Sequence, residues 1–117
     1  MIKIKKEIDK QYIVYLIKIK KINRLFTDLL NKELRELLEQ PENEIYFNLN
    51  DIRFIDSEGF RMLKDVNAYA QKHNTKLYLC NISNELYELF ELLSLEKSFR
   101  ICQKAIEKEK ILLEVEI

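Results

Sequence analysis

One glycine, one proline and one histidine occur in 117 residues. Each scarcity excludes a chemistry. A phosphate-cradling loop needs several glycines, as in G-x-x-x-x-G-K-[ST] or G-x-G-x-x-G, and neither pattern can be built from one. The single histidine, His73, gives no Ser-His-Asp order to argue from and leaves a zinc set short of ligands. The two cysteines, Cys80 and Cys102, form no C-x-x-C pair and lie in apolar surroundings, Leu79-Cys80-Asn81 and Ile101-Cys102. They read as reduced, buried thiols of a cytosolic protein. An excess of one charge is also missing. Lys and Arg total 20 and Asp and Glu total 20, whereas a nucleic-acid partner asks for a basic excess on one face. Residues 1–7 lack the apolar core of a signal peptide. No stretch reaches the ~18 apolar residues of a membrane span. The expectation is a soluble, cytoplasmic protein that takes no metal, cofactor or nucleic acid and does not insert in a membrane.

What is present suffices for a globular domain. Apolar residues make up 47% of the chain and charged residues 34%, enough for a core and a well-solvated surface. The length suits a single domain, 1–117.

Residues 2–8 alternate Ile2, Ile4 and Ile8 with lysines, and residues 11–19 are rich in β-branched and aromatic types. Two such runs joined around Asp9-Lys10 predict an antiparallel hairpin. Lys3, Lys5, Lys18 and Lys20 fall at period-two spacing and fit a solvated strand face. Leu25, Leu29, Leu30, Leu34, Leu37 and Leu38 predict one apolar stripe on a helix from about residue 23 to 40, stopped by Pro41. Asn23, Thr27 and Asp28 all suit its N-cap. Residues 44–49 are nearly continuously apolar and predict a central strand buried on both faces. A helix follows from Ser57 to about His73, with Phe60, Leu63, Val66 and Ala70 inward. His73 then falls at a helix C-terminus, where its charge suits the dipole. A strand over 76–82 precedes a short helix capped by Ser83 or Asn84, with Leu86, Leu89, Phe90 and Leu93 on one side. A short strand at 98–102 and a helix at about 103–109, with Ala105 and Ile106 inward, complete the alternation. Residues 111–117 fit either more helix or an edge strand. The expected fold class is α/β: a mixed sheet, an antiparallel hairpin and then parallel strands, packed with about four helices.

The only glycine lies in Phe54-Ile55-Asp56-Ser57-Glu58-Gly59-Phe60, between an apolar strand and an amphipathic helix. Glycine permits a sharp turn or a close approach to the backbone. A strand-to-helix junction also presents unpaired N–H groups and the positive end of a helix dipole. This stretch is the candidate functional site. Asp56 and Glu58 are the only carboxylates it singles out, which is little support for acid–base catalysis. The chain reads as a non-enzyme.

The strand, the Asp56-Ser57-Glu58-Gly59-Phe60 motif, the helix after it, the run Leu77-Tyr78-Leu79-Cys80-Asn81 and the segment from Leu86 to Phe99 together resemble the STAS domain, best known from bacterial anti-sigma-factor antagonists. The resemblance covers nearly the whole chain. It implies a regulator of transcription or signalling that binds an anti-sigma factor or a related serine-kinase-type regulator. In that family the third motif position is a phosphorylatable Ser or Thr, and its phosphorylation releases the partner. Here Ser57 fills the preceding position and Glu58 the acceptor position, where no phosphate can be added. Glu58 then imitates the phosphorylated form, or is matched by an adapted partner, or is simply a good first-turn residue. Asp56 is either an acceptor for the N–H groups of the turn or a direct partner contact. Ser57 is expected to cap the helix and to escape phosphorylation. The implied partner surface is Asp56, Ser57, Glu58, Gly59, Phe60, Arg61 and Lys64, with Asp65 beside them. Stand-alone members of the family also serve as accessory subunits of bacterial lipid-transport ATP-driven complexes, which is the alternative function. Nucleotide binding, sometimes raised for the family, finds no phosphate loop here.

Overall fold

The computed structural model describes residues 2–102. The helix expected at 103–109 and the ambiguous stretch 111–117 lie outside the described residues. Strands β1 (Ile2–Ile8) and β2 (Gln11–Leu16) form the antiparallel hairpin, turning at Asp9-Lys10 with Lys10 in the left-handed region at φ 66°. β3 (Lys21–Ile22) leads into α1 (Arg24–Leu38), and β4 (Glu44–Asn48) follows. β5 (Phe54–Ile55) leads into α2 (Ser57–Lys72). β6 (Lys76–Cys80), α3 (Asn84–Leu92) and β7 (Arg100–Ile101) complete the described chain. The main sheet runs β1-β2-β4-β6-β7, and β4, β6 and β7 each run parallel to the strand before them. The described residues thus contain three helices.

Each parallel step moves one strand further in the same direction. Right-handed crossovers then place every connecting helix on one face. The packing agrees. Leu30, Leu34 and Leu38 of α1, Leu63 and Val66 of α2, and Leu86 and Phe90 of α3 share one core with Val14, Ile45, Phe47, Leu77 and Leu79 of the sheet. Because strand side chains alternate, the opposite face carries Ile13, Tyr15, Tyr46 and Cys80, a second and smaller buried cluster. Tyr46 stacks on Tyr78 there at 5.0 Å and donates to the Glu44 carboxylate at 3.2 Å. Burial, and then the charge of Glu44, pushes the Tyr46 phenol well above its ordinary range.

Three expectations need correction. The strand expected over 11–19 ends at Leu16. The chain turns through Lys18, at φ 61°, so Lys18 and Lys20 are not on a strand face. The short β3 that follows pairs in parallel with β5, Lys21 beside Phe54 and Ile22 beside Ile55. The leucine stripe of α1 is also narrower than the sequence implied. Thr27, Leu30, Leu34 and Leu38 face inward, whereas Leu25 is 95% exposed and Leu29 about half exposed. Leu25 precedes Leu30 by five residues, roughly 140° around a helix of 3.6 residues per turn, and so lies well off the buried face. Leu93, expected inward, ends α3 half exposed.

Candidate functional site

The pairing of β3 with β5 sets two strand-to-helix junctions side by side. Ile22 runs through Asn23 into α1, and Ile55 runs through Asp56 into α2. Asn23 caps α1, its Oδ1 accepting from Leu25 N at 3.1 Å. Asp56 caps α2, with Oδ1 accepting from Gly59 N at 2.8 Å. Its other oxygen, Oδ2, accepts from Arg24 N at 3.3 Å, in the first turn of α1. One carboxylate therefore serves orphan donors at the starts of two helices, where both dipoles favour negative charge. The backbone N of Asp56 also donates to Ile22 O at 3.1 Å. The acceptor role within the turn, one of the two readings open for Asp56, is present.

Ser57 is not the cap. Asp56 has the extended backbone of a cap residue, φ −82° and ψ 179°, and Ser57 is the first helical residue, exposed. β5 ends one residue too early for the Ser57 hydroxyl to reach the N–H groups of the first turn's end. Glu58 comes next and its carboxylate lies 3.3 Å from the Arg61 guanidinium, one helical turn on. Gly59 is buried with no positive φ. A Cβ there would lie 2.7 Å from Ile55 Cγ2 and 2.8 Å from the Ile22 carbonyl oxygen. Close approach of α2 to β3 and β5, not a turn, is what requires glycine. Phe60 is largely buried and meets Phe90 edge-on at 5.2 Å, and Phe90 meets Phe99 in the same way at 5.6 Å. This aromatic chain fixes α3 and the approach to β7 against α2.

On the outer side of this junction lies a groove of about 340 Å³ lined by Ser57, Phe60, Arg61, Lys64, Asp65, Leu93 and Leu95. Five residues singled out from the sequence converge here. Asp56, Glu58 and Gly59 are not among the lining residues; the first and last are structural, and Glu58 stands beside the groove on α2. Leu93 and Leu95 were missed, because the sequence places them about 30 residues from the motif. A signal existed in Leu92-Leu93, two leucines at the end of α3 that no inward stripe can both satisfy. A larger hollow, about 510 Å³, lies past the carboxyl ends of β2 and β4, lined by Lys18, Lys20, Asn48, Asn50, Asp51 and Arg53 among others; it holds no motif residue.

His73 caps the end of α2, as its position implied. Its ring stacks on Tyr69 at 4.0 Å, with Nδ1 2.9 Å from the Tyr69 carbonyl oxygen. Among the described residues, no group of three or more His, Cys, Asp and Glu is placed to hold a metal ion. Among the same residues, no helix is long and apolar enough to cross a membrane.

The double cap makes Asp56 a test of the junction. Asp56→Ala is expected to lower stability by about 1–3 kcal/mol, since losing an N-cap costs about 0.5–2 kcal/mol and a second donor loses its partner as well. Asp56→Asn, an equally good cap type, should recover most of it. Urea unfolding of the three proteins measures this. An alanine variant as stable as the wild type would show that the Asp56 bonds are not needed to hold the helices.

A sequence profile for the STAS domain matches residues 4–107. A search of curated proteins found no match. Among solved structures, an anti-sigma-factor antagonist (STAS) domain protein from Planctomyces limnophilus superposes with a TM-score of 0.72 at 11% identity, covering 96% of both chains. The phosphorylated form of SpoIIAA, a cell fate determinant of Bacillus, gives 0.65 at 10% identity, covering 95% of this chain and 99% of that one. A sulfate transporter family protein from Wolinella succinogenes gives 0.62 at 18% identity, over 90% and 88%. At these identities the structures speak for the fold, and the profile speaks for descent. Since it spans most of the hairpin, the three described helices and the capped junction before α2, the chain belongs to the STAS domain family.

Proposed function

We propose that the chain 1–117 acts as a single non-catalytic regulatory domain that binds another protein, in the manner of an anti-sigma-factor antagonist. The observation that carries this reading is the groove between α2 and the end of α3. Ser57, Phe60, Arg61, Lys64 and Asp65 converge on it with Leu93 and Leu95, next to Glu58, which the family resemblance matches to the phosphorylated position. An apolar floor with a rim of mixed charge is the form of a protein docking patch. The partner is an anti-sigma factor or a related serine-kinase-type regulator, met in the cytoplasm without nucleic acid or cofactor. Glu58 makes the domain a variant that is fixed in one state, not switched by a phosphate at that position.

The test is a titration of the purified domain against anti-sigma factors of the serine-kinase type from the same cell. The double variant Arg61→Glu, Lys64→Glu reverses the charge of the groove and is expected to weaken binding at least tenfold, about 1.4 kcal/mol. Lys3→Glu, on β1 away from the groove, should leave binding unchanged. Equal affinity of the groove variant and the wild type would remove the groove from the reading.

The likeness to a sulfate transporter family protein supports a second reading, an accessory subunit of a transport complex such as a lipid-transport ATP-driven one. Binding to a transporter subunit, with none to any kinase-type regulator, would favour it.

A further inference from the structure

The sequence offers no reason to connect Cys80 and Cys102, 22 positions apart. The sheet does. β6 and β7 run parallel with Tyr78 beside Arg100 and Leu79 beside Ile101. Continuing that register by one residue sets Cys80 beside Cys102. Cys102 N donates to Leu79 O at 2.9 Å, which extends the ladder to this point. The two Sγ atoms stand 3.3 Å apart. Both belong to the sheet face away from the helices, in the cluster with Ile13, Tyr15 and Tyr46. Cys80 is 2% exposed, and Cys102 is half-buried.

We infer that Cys80 and Cys102 form a dithiol modification site that closes to an intramolecular disulfide when a hydroperoxide oxidises Cys102. Three observations meet here. The sulfurs are already in contact, so bond formation needs only the remaining approach to a length of about 2.05 Å. Adjacent strands separate Cα atoms by about 4.8 Å, inside the range of about 4.4–6.8 Å that disulfides span. The ladder bond from Cys102 N to Leu79 O holds the two residues side by side on neighbouring strands. The difference in exposure orders the steps. Peroxide reaches the Cys102 side chain first. The Cys102 thiolate attacks one peroxide oxygen, the O–O bond breaks, and one water leaves after protonation, giving a sulfenic acid. The Cys80 sulfur then attacks the sulfenic sulfur; the S–O bond breaks, a second water leaves, and the disulfide remains. Two thiols and one hydrogen peroxide thus give one disulfide and two waters. A resolving thiol in contact also keeps Cys102 from further oxidation. The product ties the chain leaving β7 to the end of β6. The site faces away from α2, so it is independent of the groove and of the function proposed for it.

The experiment treats the purified wild-type protein with hydrogen peroxide at a small molar excess, followed by intact-mass and peptide analysis. The expected result is a monomer lighter by two hydrogens, loss of both thiols in step, one peptide pair joined through Cys80 and Cys102, and full reversal by dithiothreitol. Cys80→Ser should stop at the Cys102 sulfenic acid, which dimedone traps, whereas the wild type should yield little dimedone adduct. Accumulation of a Cys102 sulfinic acid in the wild type, a disulfide between two chains, or a Cys80 thiol left intact while Cys102 is consumed would each overturn the inference. The wild-type result decides the matter even if the serine variant does not fold.

Discussion

Gly59→Ala is expected to destabilise this domain, although alanine is the best helix former and Gly59 is helical. In an exposed helix the substitution gains about 1 kcal/mol. Here the added methyl meets Ile55 Cγ2 at 2.7 Å and the Ile22 carbonyl oxygen at 2.8 Å. The isoleucine methyl can swing aside. The carbonyl cannot do so cheaply, because it accepts from Asp56 N at 3.1 Å, and Asp56 holds the starts of both helices. Relieving the collision means lifting α2 from the β3–β5 pair. Overpacking of this kind costs about 1–3 kcal/mol and occasionally more, so a net loss of about 2 kcal/mol is expected, with Gly59→Val worse. Asp65→Ala, on the exposed side of the same helix, should change stability by less than about 0.5 kcal/mol. Urea unfolding of the three variants separates the explanations. A Gly59→Ala protein more stable than the wild type would mean that the helix gain wins and that close approach is not what the glycine provides.

Burial made much of this fold readable. The central strand 44–48 announced itself by an apolar run, because both of its faces are covered; Ile45, Tyr46 and Phe47 are all buried. The inward face of α2 showed in Phe60, Leu63, Val66 and Ala70 for the same reason. What escaped was set by contacts distant in sequence. β3 and β5 have two residues each, too few to show a period, and pair across 33 positions. That pairing decides where β5 ends, and hence that Asp56 and not Ser57 is the cap; both residue types cap well, so composition alone does not choose. The exposure of Leu25 depends on which side of α1 meets the sheet, and an apolar stripe broader than the buried face hides that phase. The groove was half legible. Its α2 wall came from the motif, and its Leu93–Leu95 wall from a tertiary contact. The Cys80–Cys102 contact depends on strand register, which no local pattern in 98–102 discloses.

On the function proposed above, Glu58 decides what kind of regulator this chain is, and one affinity measurement distinguishes three answers. Its carboxylate lies in the first turn of α2, near the positive end of the dipole, and 3.3 Å from Arg61 Nη1. Both side chains are well exposed, 41% for Glu58 and 70% for Arg61, so the ion pair does not lock Glu58 away from a partner; such pairs contribute roughly 0.2–1 kcal/mol. If Glu58 imitates a phosphorylated residue, its charge meets a partner surface shaped for a neutral hydroxyl. Docking then strands a carboxylate, and desolvating an uncompensated charge costs several kcal/mol. Glu58→Ser and Glu58→Ala should both strengthen binding to the kinase-type partner, tenfold or more. If the partner instead carries a cation matched to Glu58, both substitutions break a desolvated pair and weaken binding by about 2–5 kcal/mol. If Glu58 only favours the start of the helix, affinity should hardly move, and stability should fall by about 0.3–1 kcal/mol. We expect the first outcome, because the family resemblance sets the carboxylate at the position that the family modifies. Arg61→Ala sharpens the reading: with its intramolecular partner gone, an imitating Glu58 should repel more strongly and binding should weaken, while Glu58→Ala, Arg61→Ala together should bind better than Arg61→Ala alone. Calorimetry on this set measures all of it. Weaker binding in both Glu58 variants would end the phosphate-imitation account and point to a partner that has come to require the carboxylate.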